Sequence, residues 1–230
     1  MGTSLPPIEI LASIIIVIFF GIGLHEYAHC KFADMAGDPT PRYYGRVTLN
    51  LFKHFEPMGT LMMLISSIYG VGIGWGRPAP INPSKMRNPR WDAFTAVLAG
   101  PVSNLIQAIV YAIGLRIALA SGNVTLDQVL AALGRDPTSF LAALLSTGVL
   151  VNLSLMLFNL IPFGPLDGHW LLGYLIPEPA RTKWFQFNRT TGGAILIGVI
   201  LLSQFTGISI LSRIILPPLL RLFIFLTGIH

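Results

Sequence analysis

Apolar residues in this chain gather into long uncharged runs, and polar residues gather between them. Ile8 to Cys30 is the first run, with fifteen uncharged, mostly apolar residues from Ile10 to Leu24. Met58–Trp75, Ala93–Leu115 and Thr138–Leu166 follow. Thr191–Ser212 is uncharged too, and after it Arg213, Pro217, Pro218 and Arg221 interrupt a last apolar segment ending at Ile229. A bilayer core takes about 20 apolar residues at about 1.5 Å of rise each. The pattern predicts an all-α polytopic membrane protein of about six transmembrane helices, the last two at the C-terminal end.

The connections have other periods. In "GRVTLNLF" (45–52), Val47, Leu49 and Leu51 alternate with Thr48 and Asn50. That is a strand period and predicts a strand or small β-hairpin after the first helix. "GWGRPAPINPSKMRNPR" (74–90) is too rich in Pro and Gly to be helix throughout. "DGHWLLGYLIPEP" (167–179) allows a short helix stopped by Pro177, too short to span. Neither an internal repeat nor a low-complexity tract is present, and 1–230 reads as a single membrane-embedded domain.

Composition agrees with the pattern. The chain is 53% hydrophobic and 11% charged, with a mean hydropathy of +0.69, where soluble domains carry about 25% charged residues. The formal charge of +5 belongs in loops facing headgroups. No basic stripe with interleaved aromatics is present, so nucleic acid is not an expected partner; the lipid bilayer is. The single cysteine, Cys30, excludes an intrachain disulfide. No basic stretch precedes the first apolar run, so 8–30 reads as a retained helix of a multi-pass protein. With six spans, seven Lys and Arg fall on the side of loops 76–92 and 167–190, against six on the other. That difference does not set an orientation.

Three titratable groups stand at the end of the first run, in "GIGLHEYAHC" (21–30). His25 and His29 are four apart, so a helix projects both from one face, one turn apart, where they can bind one zinc. Glu26 lies beside the first histidine, in reach of an attacking water without being a ligand. This is the H-E-x-x-H arrangement of zinc hydrolases. The alternative is a polar helix end pairing with headgroups. An ionisable group at membrane depth is costly, which favours function. Zinc hydrolysis wants a third protein ligand and an open position. Of ten carboxylates, Asp167 stands out because it closes a 29-residue uncharged run. Its neighbourhood, "NLIPFGPLDG" (159–168), must leave the helix. Irregular backbone at membrane depth needs cover from protein or a water cavity. A plain loop outside the bilayer, capped by Asp167, is the other reading.

"HEYAH" on the first helix, "AGPVSN" (99–104) in the third and "NLIPFGPLDG" ending the fourth together resemble the site-2 protease family of intramembrane zinc metalloproteases. The resemblance covers about residues 20–175 and is to compact members without PDZ or CBS domains. It implies a catalytic core over about 8–175, followed by C-terminal helices over about 190–229. It implies one zinc per chain held by His25, His29 and Asp167, with Glu26 as general base. Asn159, eight residues before the aspartate, is implied to stabilise the oxyanion or position substrate. The implied substrate is a single-span membrane protein cut in or near its transmembrane helix, in the cell membrane. The N-terminus is implied to lie outside and the site toward the cytoplasm. Substrate identity, trigger and oligomeric state stay open.

Other residues have plainer readings. Cys30 points about 100° away from His29 and reads as packing. His54 reads as a loop histidine, with approach to the metal as the alternative. His169 could donate a hydrogen bond to Asp167. Asn104 could satisfy backbone freed by Pro101 or line the site, or the segment could simply pack through small residues. "RVTLNL" could pair with unwound substrate by strand addition. A metal transporter would need polar residues along several spans, and Met58–Trp75 offers only Thr60, Ser66, Ser67 and Tyr69. A non-proteolytic scaffold is disfavoured by the complete motif set. A prenyl-processing zinc protease would be expected to use a glutamate as third ligand.

Overall fold

A computed structural model of the chain describes residues 6–59, 61, 76–134, 136–206 and 210–229. Among them, five helices are long and apolar enough to cross a membrane: Ile8–Met35, Trp91–Ala120, Phe140–Asn159, Ala180–Ser203 and Ile210–Thr227. The last two meet the expectation of two spans at the C-terminal end. The remaining expected span, Met58–Trp75, lies almost wholly outside the described residues.

Helix α1 (Ile8–Met35) runs well past the HEYAH motif. It ends where Gly37 takes φ 103°, with Asp38 N–H bonded to Ala33 O and Gly37 N–H to Asp34 O. This double closure suits glycine, which has no Cβ to oppose a positive φ. A single turn, α2 (Thr40–Tyr43), follows. Helix α3 (Trp91–Ala120) starts where Asn88 Oδ1 accepts Trp91 N–H at 3.2 Å. Short α4 (Leu126–Leu133) opens with a capping box between Thr125 and Gln128. Ser139 caps α5 (Phe140–Asn159), which ends before the prolines at 162 and 165. The chain turns and re-enters helix as α6 (Asp167–Leu175). Helices α7 (Ala180–Phe187) and α8 (Gly193–Thr206) are joined by a π-turn over Asn188–Gly192. Helix α9 (Ile210–Thr227) completes the chain.

Helices α1, α3 and α5 form the core. At one end Ala33 and Ala36 pack on Ala93, Ala96 and Val97. At the other, Ile10, Ile14 and Ile18 pack on Ala132 and Ala143. Thus α1 and α5 run parallel and α3 antiparallel to both. Alanine and glycine at the contacts let backbones approach closely, the usual device where lipid supplies no hydrophobic drive between helices.

The expected strand at 45–52 is not formed: the segment bends and then closes a 3₁₀ turn over Leu51–His54. Among the described residues there is no strand or hairpin. Local acceptors capture the groups a ladder would need. Asn50 N–H goes to Thr48 Oγ1 (3.1 Å), and Thr48 O is taken by His54 Nε2 (2.9 Å). The alternation also fails as a face, because Leu49 is 67% exposed while Leu51 is buried against Gly23.

The flanks of the 60–75 segment lie together. Arg77 N–H donates to His54 O at 2.9 Å. Buried Arg46 clasps the carbonyls of Arg77 and Pro78, and Asn82 N–H donates to Asp38 Oδ2 at 2.6 Å. Burial holds the His54 imidazole pKa below its usual range, with the Arg46 charge adding to the effect. Loops 36–55 and 76–90 therefore share one end of the bundle. Arg42, Arg46, Lys53, Arg77, Lys85, Arg87 and Arg90 all belong to that end. Among the described residues, the 121–139 connection at the other end carries no Lys or Arg.

Candidate metal centre

His25 and His29 project from α1 into the contact with α3, 6% and 5% exposed. Space for their rings comes from Gly100. A Cβ there would lie 2.4 Å from the His29 ring and 2.7 Å from His25 Nε2. Asp167, the first residue of α6, arrives from the opposite side. Gly168 makes that approach possible, since a Cβ on it would meet Leu160 O at 2.3 Å. The break after α5 thus folds the start of α6 back onto the carbonyl end of α5.

The three side chains converge. His25 Nε2 and His29 Nε2 are 3.0 Å apart. Asp167 Oδ2 is 3.1 Å from His25 Nε2, and Oδ1 is 3.4 Å from His29 Nε2. Both Nδ1 atoms are engaged outward: His25 Nδ1 donates to Asn104 Oδ1 (2.7 Å) and His29 Nδ1 to Ala96 O (2.9 Å). Neutral imidazoles bonded in this way turn two Nε2 lone pairs toward each other and toward a carboxylate. Asp167 Oδ2 is buried without a well-directed hydrogen bond, despite its closeness to His25. Lone pairs facing one another repel unless a cation lies among them. In a zinc tetrahedron with bonds of about 2.0–2.1 Å, neighbouring ligand atoms are about 3.3 Å apart. The spacings match, so the donor set fits a zinc ion. Among the described residues, His25, His29 and Asp167 are the group of titratable side chains able to hold a metal.

Glu26 lies one residue from this set. Its Oε2 is buried and has no hydrogen-bond partner. Gly76 passes close beside it, where a Cβ would sit 3.2 Å from Glu26 Cγ. A carboxylate oxygen with no protein partner beside a metal set is free to take a proton from a water.

The other sequence candidates divide. Cys30 is buried and unpaired, in keeping with a packing role. His54 belongs to the Arg46 clasp. His169 donates from Nδ1 to Leu166 O rather than to Asp167, because α6 carries its ring back along its own first turn. Asn159 ends α5 and gives an amide hydrogen to Leu155 O (2.9 Å). Asn104 does not serve the backbone freed by Pro101; it joins His25 Nδ1 to Gly21 O and Asn152 Oδ1. Asn152 and Asn188 were not singled out by sequence. Asn152 had a visible signal, an amide inside a 29-residue uncharged run. Asn188, whose Oδ1 accepts Gly164 N–H and ties the 160–166 turn to the C-terminal helices, had none.

The model of peptidase family M50 matches residues 13–203, which contain every group just described. The chain belongs to peptidase family M50, the site-2 protease family. "Putative zinc metalloprotease YwhC" of Bacillus subtilis (strain 168) is 36% identical over 180 residues, covering 78% of this chain and 76% of that protein. "Putative zinc metalloprotease Rip2" of Mycolicibacterium smegmatis is 29% identical over 184 residues, 77% of this chain and 64% of that protein. No solved structure matches significantly. The M50 match spans the residues that helices α1, α3 and α6 bring together.

Proposed function

We propose that this M50 peptidase is an intramembrane zinc metalloprotease, cutting a peptide bond in or near the transmembrane helix of a membrane-anchored substrate. The observation that carries the reading is the meeting of His25 Nε2, His29 Nε2 and an Asp167 carboxylate oxygen inside a bundle of apolar helices. In this reading His25, His29 and Asp167 hold the zinc. Zinc at such a site lowers the pKa of a water toward neutrality and polarises a carbonyl. Glu26 takes the proton of the attacking water on Oε2 and returns it to the leaving amine. Asn159 turns its amide from Leu155 O toward the substrate carbonyl.

The substrate is a single-span protein. A peptide bond within an intact helix is covered, so the substrate must unwind locally. Exposed backbone groups cost several kcal/mol each in hydrocarbon when unpaired. Helix-weakening residues reduce that cost, Gly by about 1 kcal/mol and Pro by about 3 relative to Ala. Substrates with Gly, Asn or Pro near the cut are therefore favoured. With loops 36–55 and 76–90 at one end, the basic residues of that end support a cytoplasmic assignment in the cell membrane, with the N-terminus outside.

Glu26→Gln keeps the shape and removes the base. It should retain zinc and lose proteolysis by about 10²–10⁴-fold, read by comparing membrane-anchored proteins in cells with either form. Cleavage at the parent rate refutes the assignment. A substrate series differing only in helix-breaking residues at the cut tests the unwinding step. Equal rates across it, with binding matched, refute that step.

A further inference from the structure

We infer that Asn104 is the positioning residue that fixes His25 as a zinc ligand, and that its own orientation is dictated from helix α5 through Asn152. The inference rests on the reading of His25 as a ligand.

The two histidines are held differently. His29 Nδ1 donates to a backbone carbonyl, Ala96 O, which no side-chain change can remove. His25 Nδ1 donates to the amide oxygen of Asn104 at 2.7 Å. An amide can present either its oxygen or its nitrogen, so something must choose. Asn104 is fully buried, and its Nδ2 lies 3.0 Å from Gly21 O and 3.1 Å from Asn152 Oδ1. A flipped amide would set its oxygen against both acceptors. Asn152, also fully buried, is oriented in turn because its Nδ2 donates to Gly148 O at 2.9 Å.

The polarity runs in one direction. A helix carbonyl of α5 orients Asn152, Asn152 orients Asn104, and the Asn104 oxygen takes the Nδ1 proton of His25. That leaves His25 Nε2 as the free lone pair facing His29 and Asp167. The alternative tautomer would point an N–H at the metal position and could not bind. Asn104 so couples ligand chemistry on α1 to the packing of α3 and α5. Partners of metal-bound histidines at this remove typically contribute 10–100-fold in metal affinity.

The test measures zinc affinity by chelator competition on the full chain in detergent or nanodiscs, with the thermal midpoint recorded for each variant. His25→Ala is the reference. If it binds zinc as the parent does, the ligand reading fails, and this inference with it. If His25→Ala loses zinc, Asn104→Ala should weaken binding by about 10–100-fold and change the visible spectrum of the cobalt-loaded protein. Parent-like affinity in Asn104→Ala overturns the inference alone. A second measurement needs no variant: ¹⁵N-histidine NMR of the zinc-loaded parent should find His25 protonated on Nδ1 with the metal on Nε2. The reverse tautomer overturns the inference.

Discussion

Two sets of helices in this molecule are both apolar enough to cross a membrane and are differently joined. In α1 and α3, half the residues of the most apolar stretch are buried; in the spans Ala180–Ser203 and Ile210–Thr227 the share is 17%. The first set is tied by polar links between helices, among them Asn104 to Gly21 and His29 to Ala96. It is also tied by glycines that admit a neighbouring ring, Gly100 beside His29 and Gly148 beneath Tyr111. The C-terminal set carries exposed Ile197, Leu201, Ile214, Leu220 and Phe225, the surface expected toward lipid. Hydropathy alone does not distinguish the helices that carry chemistry. Buried amides and close-approach glycines do.

The comparison can be broken most sharply at the metal set. His25→Ala, His29→Ala or Asp167→Ala should each reduce zinc content to a small fraction of the parent's and abolish proteolysis, measured by elemental analysis of purified protein. Full zinc in Asp167→Ala would detach α6 from the site and direct attention to another carboxylate, Glu56 first.

Next in size is Gly100→Ala. The new methyl would overlap the His29 ring at 2.4 Å, and both sides of the contact are helix-borne. Overpacking of this kind costs about 1–3 kcal/mol, and here it displaces ligands too. Zinc loss should accompany a lowered thermal midpoint. Gly148→Ala sharpens the point, because its methyl meets the Tyr111 ring at 2.3 Å and touches no ligand. A similar cost of about 1–3 kcal/mol should then appear with zinc largely kept.

The smallest effect belongs to the outer helices. Leu201→Ala and Phe225→Ala, at 51% and 78% exposure, should change stability by no more than about 0.5 kcal/mol. A large loss of activity in either would mean that the C-terminal helices do more than cover the core.

Much of the site was legible because its signals are local. The i, i+4 histidines need only a helix, and α1 supplies one. Asp167 was found because prolines and glycines must end α5, as they do at Asn159. What escaped was non-local. The alternation at 45–52 resembles a strand, but it yields to Thr48, Asn50 and His54, whose side chains and turn capture the backbone groups. The charge count decided nothing for a related reason. It put loops 36–55 and 76–90 on opposite sides, whereas His54 and Arg77 are hydrogen-bonded neighbours. No window of sequence reports that His54 and Arg77, 23 positions apart, lie together.

The break between α5 and α6 has a topological consequence. A zinc held by His29 and Asp167 would be a cross-link closing a loop of more than a hundred residues. In free solution such a closure removes roughly 5 kcal/mol of chain entropy from the unfolded state. Inside a bilayer the inserted helices have already surrendered most of that freedom, so the cross-link has less left to remove. Its effect is local instead. The apolar contacts among α1, α3 and α5 lie outside the metal set, whereas Asp167 lies between a turn held by Asn188 and the far end of α6, held by Arg90. Chelation should therefore raise hydrogen exchange over residues 160–176 first and leave the three-helix core protected, making the metal a latch on the α6 arm rather than a rivet through the bundle.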